Sequence, residues 1–374
     1  ESVGEGHPDK VCDQISDAIV DEALRQDADS RVGCECFVTT GLVLVGGEIT
    51  TRGYIDVQQL IRDLLQRIGY TGAEAGLDYR TCSILSSIHD QSPDIARAVS
   101  ASRAGAGDQG MMFGYACRDT PALMPAPVYY SHRLMEQSAR IRQENPDHAV
   151  ISQLLPDAKC QLTVEYEDGR PLAVSTVILS QHHTEALRVR QDELSETLLR
   201  EVIKPVLGPL LTEQTEIIVN PAGPFVVGGP AADTGLTGRK IVVDTYGASA
   251  RHGGGAISGK DPSKVDRSAS YAARYIAKHI VAAEIATECE VELAYAIGRQ
   301  DPVSVSVSTK GSMVPDSELE RLIRRLFPLT PRDISSELGL ARPIYGPTAR
   351  FGHFGRDVFP WERLDRLKDL RAAL

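Results

Sequence analysis

The sequence has no apolar stretch near the ~20 residues that a membrane-spanning helix requires, so no span is expected. It has no Cys-x-x-Cys pair, no His-Glu-x-x-His and no Gly-x-Ser-x-Gly. Those absences argue against a zinc site, a zinc hydrolase and a serine-hydrolase elbow. The seven cysteines are odd in number, which speaks against a disulfide framework and for a reducing, cytoplasmic setting. Cys34 and Cys36, two apart in a β-rich stretch, are expected on one strand face. None of the cysteines has the helix-start or paired-cation context of a nucleophile. No charged-then-apolar leader is visible at Glu1, which already lies inside a motif. Cations are in deficit: 40 Lys and Arg face 51 Asp and Glu, a net charge of −11, which argues against a general nucleic-acid binder.

What is present is an ordinary globular composition, 42% hydrophobic and 24% charged. At 374 residues the chain outgrows a single core, so two or three modules are expected. One window reverses the acidic balance. Between positions 239 and 278 stand Arg239, Lys240, Arg251, Lys260, Lys264, Arg267, Arg274 and Lys278, against Asp244, Asp261 and Asp266. A cationic pocket in an acidic protein suits a small, highly charged anion.

A strand-hairpin-helix pattern occurs three times. The first copy is read as strands 31–39 and 42–45, a turn at Gly46-Gly47, an extension over 48–54 and a helix over 57–68. In that helix Val57, Leu60, Ile61, Leu64, Leu65 and Ile68 follow the 3.6 period. The second has strands 160–166 and 172–179 around Asp168-Gly169, then a helix at 193–203. The third has strands 291–297 and 303–309 around Asp301-Pro302, then a helix at 317–327. The pattern implies an α+β protein of three similar domains, mixed or antiparallel sheets with helices on one face, in a pseudo-threefold arrangement. The divisions are drawn at 1–98, 105–226 and 228–366. Glycine-rich segments 105–114, 220–238 and 247–259 read as loops that carry chemistry.

His7-Pro8-Asp9-Lys10 opens a helix with Val11, Ile15, Ala18, Ile19 and Ala23 on its apolar face. Pro8 and Asp9 suit a first helical turn, whereas Lys10 opposes the positive helix end. The tetrapeptide reads either as a surface cap or as a polyphosphate site in which Asp9 holds a divalent cation. Asp13, Asp17 and Asp21 read as a solvated face. Gly254 to Asp261 nearly matches a P-loop, but Asp261 replaces the magnesium-holding hydroxyl and no clear strand precedes it, so that fold is rejected. Its glycine amides beside Lys260 and Lys264 can still cradle phosphate. Asp266 reads as a helix cap or a second metal carboxylate. The run from Asp233 to Lys240 reads as a loop before a strand at 241–243. Turn chemistry accounts for the segments at Asp108 and Gln91; Glu35 and Glu48 read as solvent-facing strand residues, and His182-His183 as an exposed strand end.

Taken together and in order, several segments resemble the S-adenosylmethionine synthetase family. They are Glu1-Ser-Val-Gly-Glu-Gly-His-Pro-Asp-Lys10, Gly46-Gly-Glu-Ile-Thr-Thr51, Gly105-Ala-Gly-Asp-Gln-Gly110, Gly228-Gly-Pro230 and Gly235-Leu-Thr-Gly-Arg-Lys240. Gly253-Gly-Gly-Ala-Ile-Ser-Gly-Lys-Asp261, Lys264-Val-Asp-Arg267, Gly352-His-Phe-Gly355 and Phe359-Pro-Trp-Glu362 complete the set, which spans essentially the whole chain. The resemblance implies adenosyl transfer from ATP to L-methionine, followed by hydrolysis of the triphosphate. It implies two Mg²⁺ and one K⁺, and a homodimer with active sites at the interface, paired into a dimer of dimers.

Residue by residue, the resemblance places His7, Asp157, Lys159, Phe225, Asp233, Arg239, Lys240, Ala256 and Lys260 at ATP. Glu48, Gln91, Asp233 and Lys264 fall to methionine, Asp9 and Asp266 to magnesium, and Glu35 to potassium. His7, Lys10, Asp108, Arg239, Lys240, Lys260 and Lys264 form the implied catalytic set. A thioether is already nucleophilic, so the difficulty lies in expelling triphosphate. Cations that neutralise the departing oxygens supply roughly 3 to 4 kcal/mol for each well-placed donor.

Gly4, Pro224 and Ile257 depart from the family's usual Ser or Thr, Arg and Phe, and the gate segment 96–104 is short. Ile257 and the trimmed gate suggest a relative whose methionine side admits bulkier S-alkyl analogues. A non-catalytic nucleotide-binding subunit and a P-loop phosphotransferase are the alternatives in other classes.

Overall fold

The computed structural model describes residues 1–91 and 105–374. The short gate at 96–104, the end of the turn after Gln91 and the division at residue 98 lie outside the described residues. Along the chain the strands are β1 (Ser2–Val3), β2 (Arg31–Thr39), β3 (Leu42–Thr50), β4 (Ser83–His89), β5 (Gly110–Cys117) and β6 (Leu154–Glu167). After these come β7 (Arg170–His183), β8 (Glu216–Val219), β9 (Gly235–Leu236), β10 (Glu288–Tyr295) and β11 (Ser304–Lys310). They form sheets ordered β9-β2-β3-β4, β1-β6-β7-β8 and β11-β10-β5. The fold is α+β, as the repeats imply, but none of these three sheets keeps to one stretch of chain; only a small ribbon pairing Thr71–Gly72 with Leu77–Asp78 is local among the described residues. β1 pairs with β6 at Lys159 and Cys160, β9 with β2 at Phe37 and Val38, and β5 with β10 along its whole length. Each of the three sheets thus borrows a strand from across one of the expected divisions.

Helix α1 (Pro8–Gln26) packs on β2, and α2 (Val57–Ile68) packs on α1. Asp56 caps α2 by accepting from Gln59 N, Gly69 closes it in the left-handed region, and Ile61, Leu64, Leu65 and Ile68 form its buried stripe. Helix α3 (Ala126–Glu144) packs on β6, while α4 (Gln191–Leu198) continues through a widened turn at Leu199–Ile203. A short α5 (Ile241–Asp244) precedes α6 (Val265–Ala282), which lies on β5 and β10; α7 (Asp316–Leu326) covers β11 and α8 (Pro331–Glu337) meets α6. One apolar core joins the first and third sheets through α1 and α6. A second one fills the space between α3, α4 and the β6–β7 pair.

Four expectations change. Gly46 and Gly47 lie inside β3, opposite Glu35 and Cys34; the turn is at Gly41, φ +69°. Segment 241–243 is helical, because Lys240 O and Val242 O accept from Asp244 N and Thr245 N, closing helical turns instead of pairing with a strand. Segment 105–114 is not all loop, since β5 starts at Gly110. Asp13, Asp17 and Asp21 are not a solvated face. Asp13 and Asp17 have no exposed surface. Asp9 Oδ1 accepts from Leu236 N at 3.0 Å, Asp13 Oδ1 from Gly238 N at 2.8 Å, and Asp17 Oδ1 from Gly259 N at 2.8 Å. Asp21 accepts from Tyr345 N and Gly346 N at 2.9 and 2.7 Å. The glycine-rich loops wrap this side of α1, and carboxylates are the acceptors that satisfy their buried amides.

The closing motifs serve packing. Phe354 stacks on Tyr246 at 4.9 Å, Trp361 stacks on Tyr271 at 3.6 Å, and Trp361 Nε1 donates to His353 O at 2.9 Å. Glu362 receives Arg274 Nη2 at 2.9 Å and Lys278 Nζ at 2.8 Å, all three residues buried. Burial alone would raise the Glu362 carboxyl, but Arg274 and Lys278 override it and hold it below the usual range. Glu362→Gln leaves two buried cations without their counter-charge. We expect destabilisation of roughly 3–5 kcal/mol, read as a lower urea midpoint at unchanged slope; a midpoint shift within error would refute it.

Candidate active site

The start of α1 is seated by the chain before it. β1 lies on β6, and Gly4 N and Gly6 N donate to Ala158 O and Pro156 O. This brings His7 and Asp9 beside Asp157 and Lys159. His7 is the N-cap residue of α1, its Nδ1 accepting from Asp9 N at 3.1 Å, with Pro8 in the first turn. Burial chiefly, then Lys240, lowers the His7 imidazole to about 4, so the ring is neutral at pH 7. With Nδ1 occupied as an acceptor, the proton sits on Nε2, which is therefore a donor.

Around His7 stand Lys240, Asp9, Lys159 and Asp233, all close enough to influence its charge. Asp9 Oδ2 accepts from Lys240 Nζ at 2.5 Å, and Arg239 Nε lies 3.7 Å from Oδ1. Asp157 is buried, takes Gly229 N at 2.8 Å, and is pushed up to about 7 by burial against the pull of that amide. Lys159 is half exposed and meets Glu1 Oε2 at 3.3 Å; Asp233 is exposed and takes only Thr234 N among the side-chain bonds. Phe225 lies 5.1 Å from the His182 ring, and its amide donates to His183 Nε2 at 3.2 Å. His182 and His183 are fully buried, not an exposed strand end. They hold the loop at Phe225 through Val226 O and the Phe225 amide.

A second cluster forms on the other loop. Lys260 pairs with Asp266, in the first turn of α6, and Lys264 pairs with the buried Asp261. Lys260 bridges to Gly33 of β2, whose partner across β3 is Glu48, and Gln91 Nε2 reaches Glu48 Oε1 at 3.5 Å. β9 joins the same strand at Phe37, four residues on from Gly33. The two cationic loops therefore line one edge of β2, their pairing points at Phe37 and Gly33 about 13 Å apart along the strand and their inner ends converging between them. Ala256 touches the first loop, since a Cβ on Gly238 would come within 2.4 Å of its own Cβ.

Other expected residues stand elsewhere. Lys10 is buried between Asp13 and Asp244, its charge spent on those carboxylates. Glu35 is exposed on the open face of β2, and Asp108 is exposed with its carboxylate on Gln109 N. Of the eight cations between 239 and 278, Arg267, Arg274 and Lys278 are buried ion-pair partners, and Arg251 is paired with Glu290. Ile257 is buried in the main core, so its size acts on how the loop is seated. Segment 251–259 has no strand before its glycines, which agrees with rejection of the P-loop. Sequence reasoning missed Asp13, Asp17, Asp244 and Asp261. The four-residue spacing of the α1 aspartates was the available signal.

Among the described residues no three His, Cys, Asp or Glu side chains converge as a metal cluster. The carboxylates fit magnesium nevertheless. Each cluster offers a hard oxygen donor beside cations, Asp9 in one and Asp266 in the other, and magnesium takes one or two carboxylates together with phosphate oxygens.

Paired glycine loops bearing lysines, a neutral imidazole donor and carboxylates set against the lysines have the chemistry of an enzyme that handles a nucleotide polyphosphate. The family models of the S-adenosylmethionine synthetase N-terminal, central and C-terminal domains match residues 1–93, 103–225 and 227–363. The chain is 53% identical to S-adenosylmethionine synthase of Treponema denticola, over all of this chain and 97% of that protein. It is also 53% identical to S-adenosylmethionine synthase of Desulfosudis oleivorans, over 99% of this chain and 96% of that one. This chain belongs to the S-adenosylmethionine synthetase family.

The His7 ring provides a pH test. Its depressed value means the free protein keeps the ring neutral through pH 6.5 and protonates it only near pH 4. Carbon-13 shifts of the His7 ring should titrate with a midpoint of about 4; a midpoint at 6 or above would contradict the buried, cation-flanked placement.

Proposed function

We propose that this chain forms S-adenosylmethionine from ATP and L-methionine and then splits the released triphosphate into pyrophosphate and phosphate. The thioether lone pair attacks the 5′ carbon of the ribose, and the carbon–oxygen bond to triphosphate breaks. Its electron pair goes to the departing oxygen. His7 Nε2–H donates to that oxygen, while Arg239, Lys240, Lys260 and Lys264 offset the charge that grows there. Asp9 and Asp266 would hold magnesium, which when bound supplies further positive charge on the phosphates. Asp157, Lys159, Phe225 and Ala256 border the nucleotide; Glu48, Gln91, Asp233 and Lys264 hold methionine. Asp108 supplies a carboxylate near the sulfonium, and Glu35 takes potassium.

The observation that carries this reading is the pair of cationic loops on one edge of β2, with a neutral imidazole donor beside the first. We take the working unit to be a homodimer with shared active sites, paired further into a dimer of dimers. The open face of the β9-β2-β3-β4 sheet, with Leu44, Leu85 and Leu236 exposed, supports that assembly. Free, buried thiols at all seven cysteines support a cytoplasmic home, and no helix among the described residues is long and apolar enough to cross a membrane.

Incubation of the protein with ATP, methionine, Mg²⁺ and K⁺ should yield the sulfonium by mass, with all three phosphates lost from adenosine. Lys260→Met should lower that rate by about 10²–10³-fold while far-ultraviolet circular dichroism stays unchanged. Intact ATP after incubation with folded wild-type protein would refute the reading.

A further inference from the structure

Asp13 and Asp17 stand one turn apart on α1, and each accepts a 2.8 Å hydrogen bond from the amide of a glycine, Gly238 and Gly259 respectively. Both glycines are left-handed, at φ +78° and +82°. Gly238 is followed at once by Arg239-Lys240, and Gly259 by Lys260. The loops have no slack at these points. A Cβ on Gly259 would lie 2.0 Å from Cys34 O, and one on Gly238 would lie 2.4 Å from the Ala256 Cβ.

The anchors are themselves fixed. Asp13 Oδ2 accepts from Lys10 Nζ at 2.9 Å, and Lys10 is held in turn by Asp244. Asp17 accepts from Arg267 Nη2 at 2.6 and 2.8 Å and from Thr348 Oγ1 at 3.2 Å. Neither carboxylate has exposed surface with which to touch a substrate. Their spacing, about 5–6 Å between Cβ atoms at i and i+4 on a helix, is set by helix geometry.

We propose that Asp13 and Asp17 are positioning residues that fix the separation of the two cationic loops and thereby the length of polyphosphate the site grips. The proposal rests on the adenosyl-transfer reading of the site. Its physical content is a ruler: consecutive turns of a buried helix hold the stems of two loops whose next residues carry the charge. A displacement of about 1 Å between groups that must act together can cost about 10²-fold in rate.

Two variants separate acceptor position from charge. Asp13→Asn keeps an oxygen in place for Gly238 N and removes the charge; its Nδ2 replaces the oxygen that accepted from Lys10, which retains Asp244. Asp13→Glu keeps the charge and pushes the acceptor out by one methylene. We expect Asp13→Asn to retain kcat and the preference for inorganic tripolyphosphate over pyrophosphate to within about 3-fold. Asp13→Glu should lower kcat by about 10- to 100-fold, narrow that preference at least tenfold, and melt near the wild-type temperature.

Wild-type kcat and length preference in Asp13→Glu would overturn the proposal. So would equal losses in both variants, or losses that track melting temperature alone. Hydrogen exchange of the wild-type protein tests it without a variant: the Gly238 and Gly259 amides should be protected like those inside α1, and exchange at open-loop rates would overturn it. A wild-type protein that makes no sulfonium yet prefers tripolyphosphate would sink the functional reading and leave the ruler standing.

Discussion

A row of carboxylates on the inner side of α1 governs where the rest of the molecule can lie. Asp9, Asp13, Asp17 and Asp21 each accept a loop amide, so one helix fixes residues near 236, 238, 259 and 345. Burying charged groups this deeply is costly unless each is paired and hydrogen-bonded. Here the partners are Lys240 for Asp9, Lys10 for Asp13 and Arg267 for Asp17, while Asp21, which accepts two amides, is pushed up to about 6, chiefly by burial. The arrangement turns an electrostatic burden into geometric definition, because none of these loops can shift without leaving an amide or a charge unpaired.

The positive charge of the 239–278 window divides along the same line. Arg267, Arg274 and Lys278 are consumed inside the protein, by Asp17 and by Glu362, and hold α6 against α1 and the C-terminal aromatic stack. Arg239, Lys240, Lys260 and Lys264 remain at least partly exposed on short loops. Lys240 and Lys260 are neutralised by Asp9 and Asp266, the carboxylates with the right donor chemistry for magnesium. Arrival of a metal-bound polyphosphate would exchange lysine–carboxylate pairs for lysine–phosphate and metal–carboxylate pairs.

The hairpins and amphipathic helices were legible because period-2 and period-3.6 patterns are local, as in β10, β11 and α7. The functional segments were legible through ordered motifs, and the structure brings His7, Asp9, Arg239 and Lys240 close together. The α1 aspartates were misread because acidic residues at four-residue spacing usually mark a wet helix face, and only tertiary wrapping by remote glycines reverses that. The burial of Lys10 was not legible either, because its partner Asp244 is 234 positions away. The borrowed strands β1, β5 and β9 leave no local signature, since two- to eight-residue strands pair with segments far along the chain.

That borrowing ties the three sheets into one object. A piece cut at any of the apparent boundaries would leave an open strand edge in one sheet and an orphan strand in another, and exposed edges invite pairing with the wrong chain. The chain must also reach far in sequence before its sheets are complete, so loop closure precedes the contacts that reward it. Removing any one module would strip a strand from a neighbour's sheet, so the three stand or fall as an indivisible scaffold.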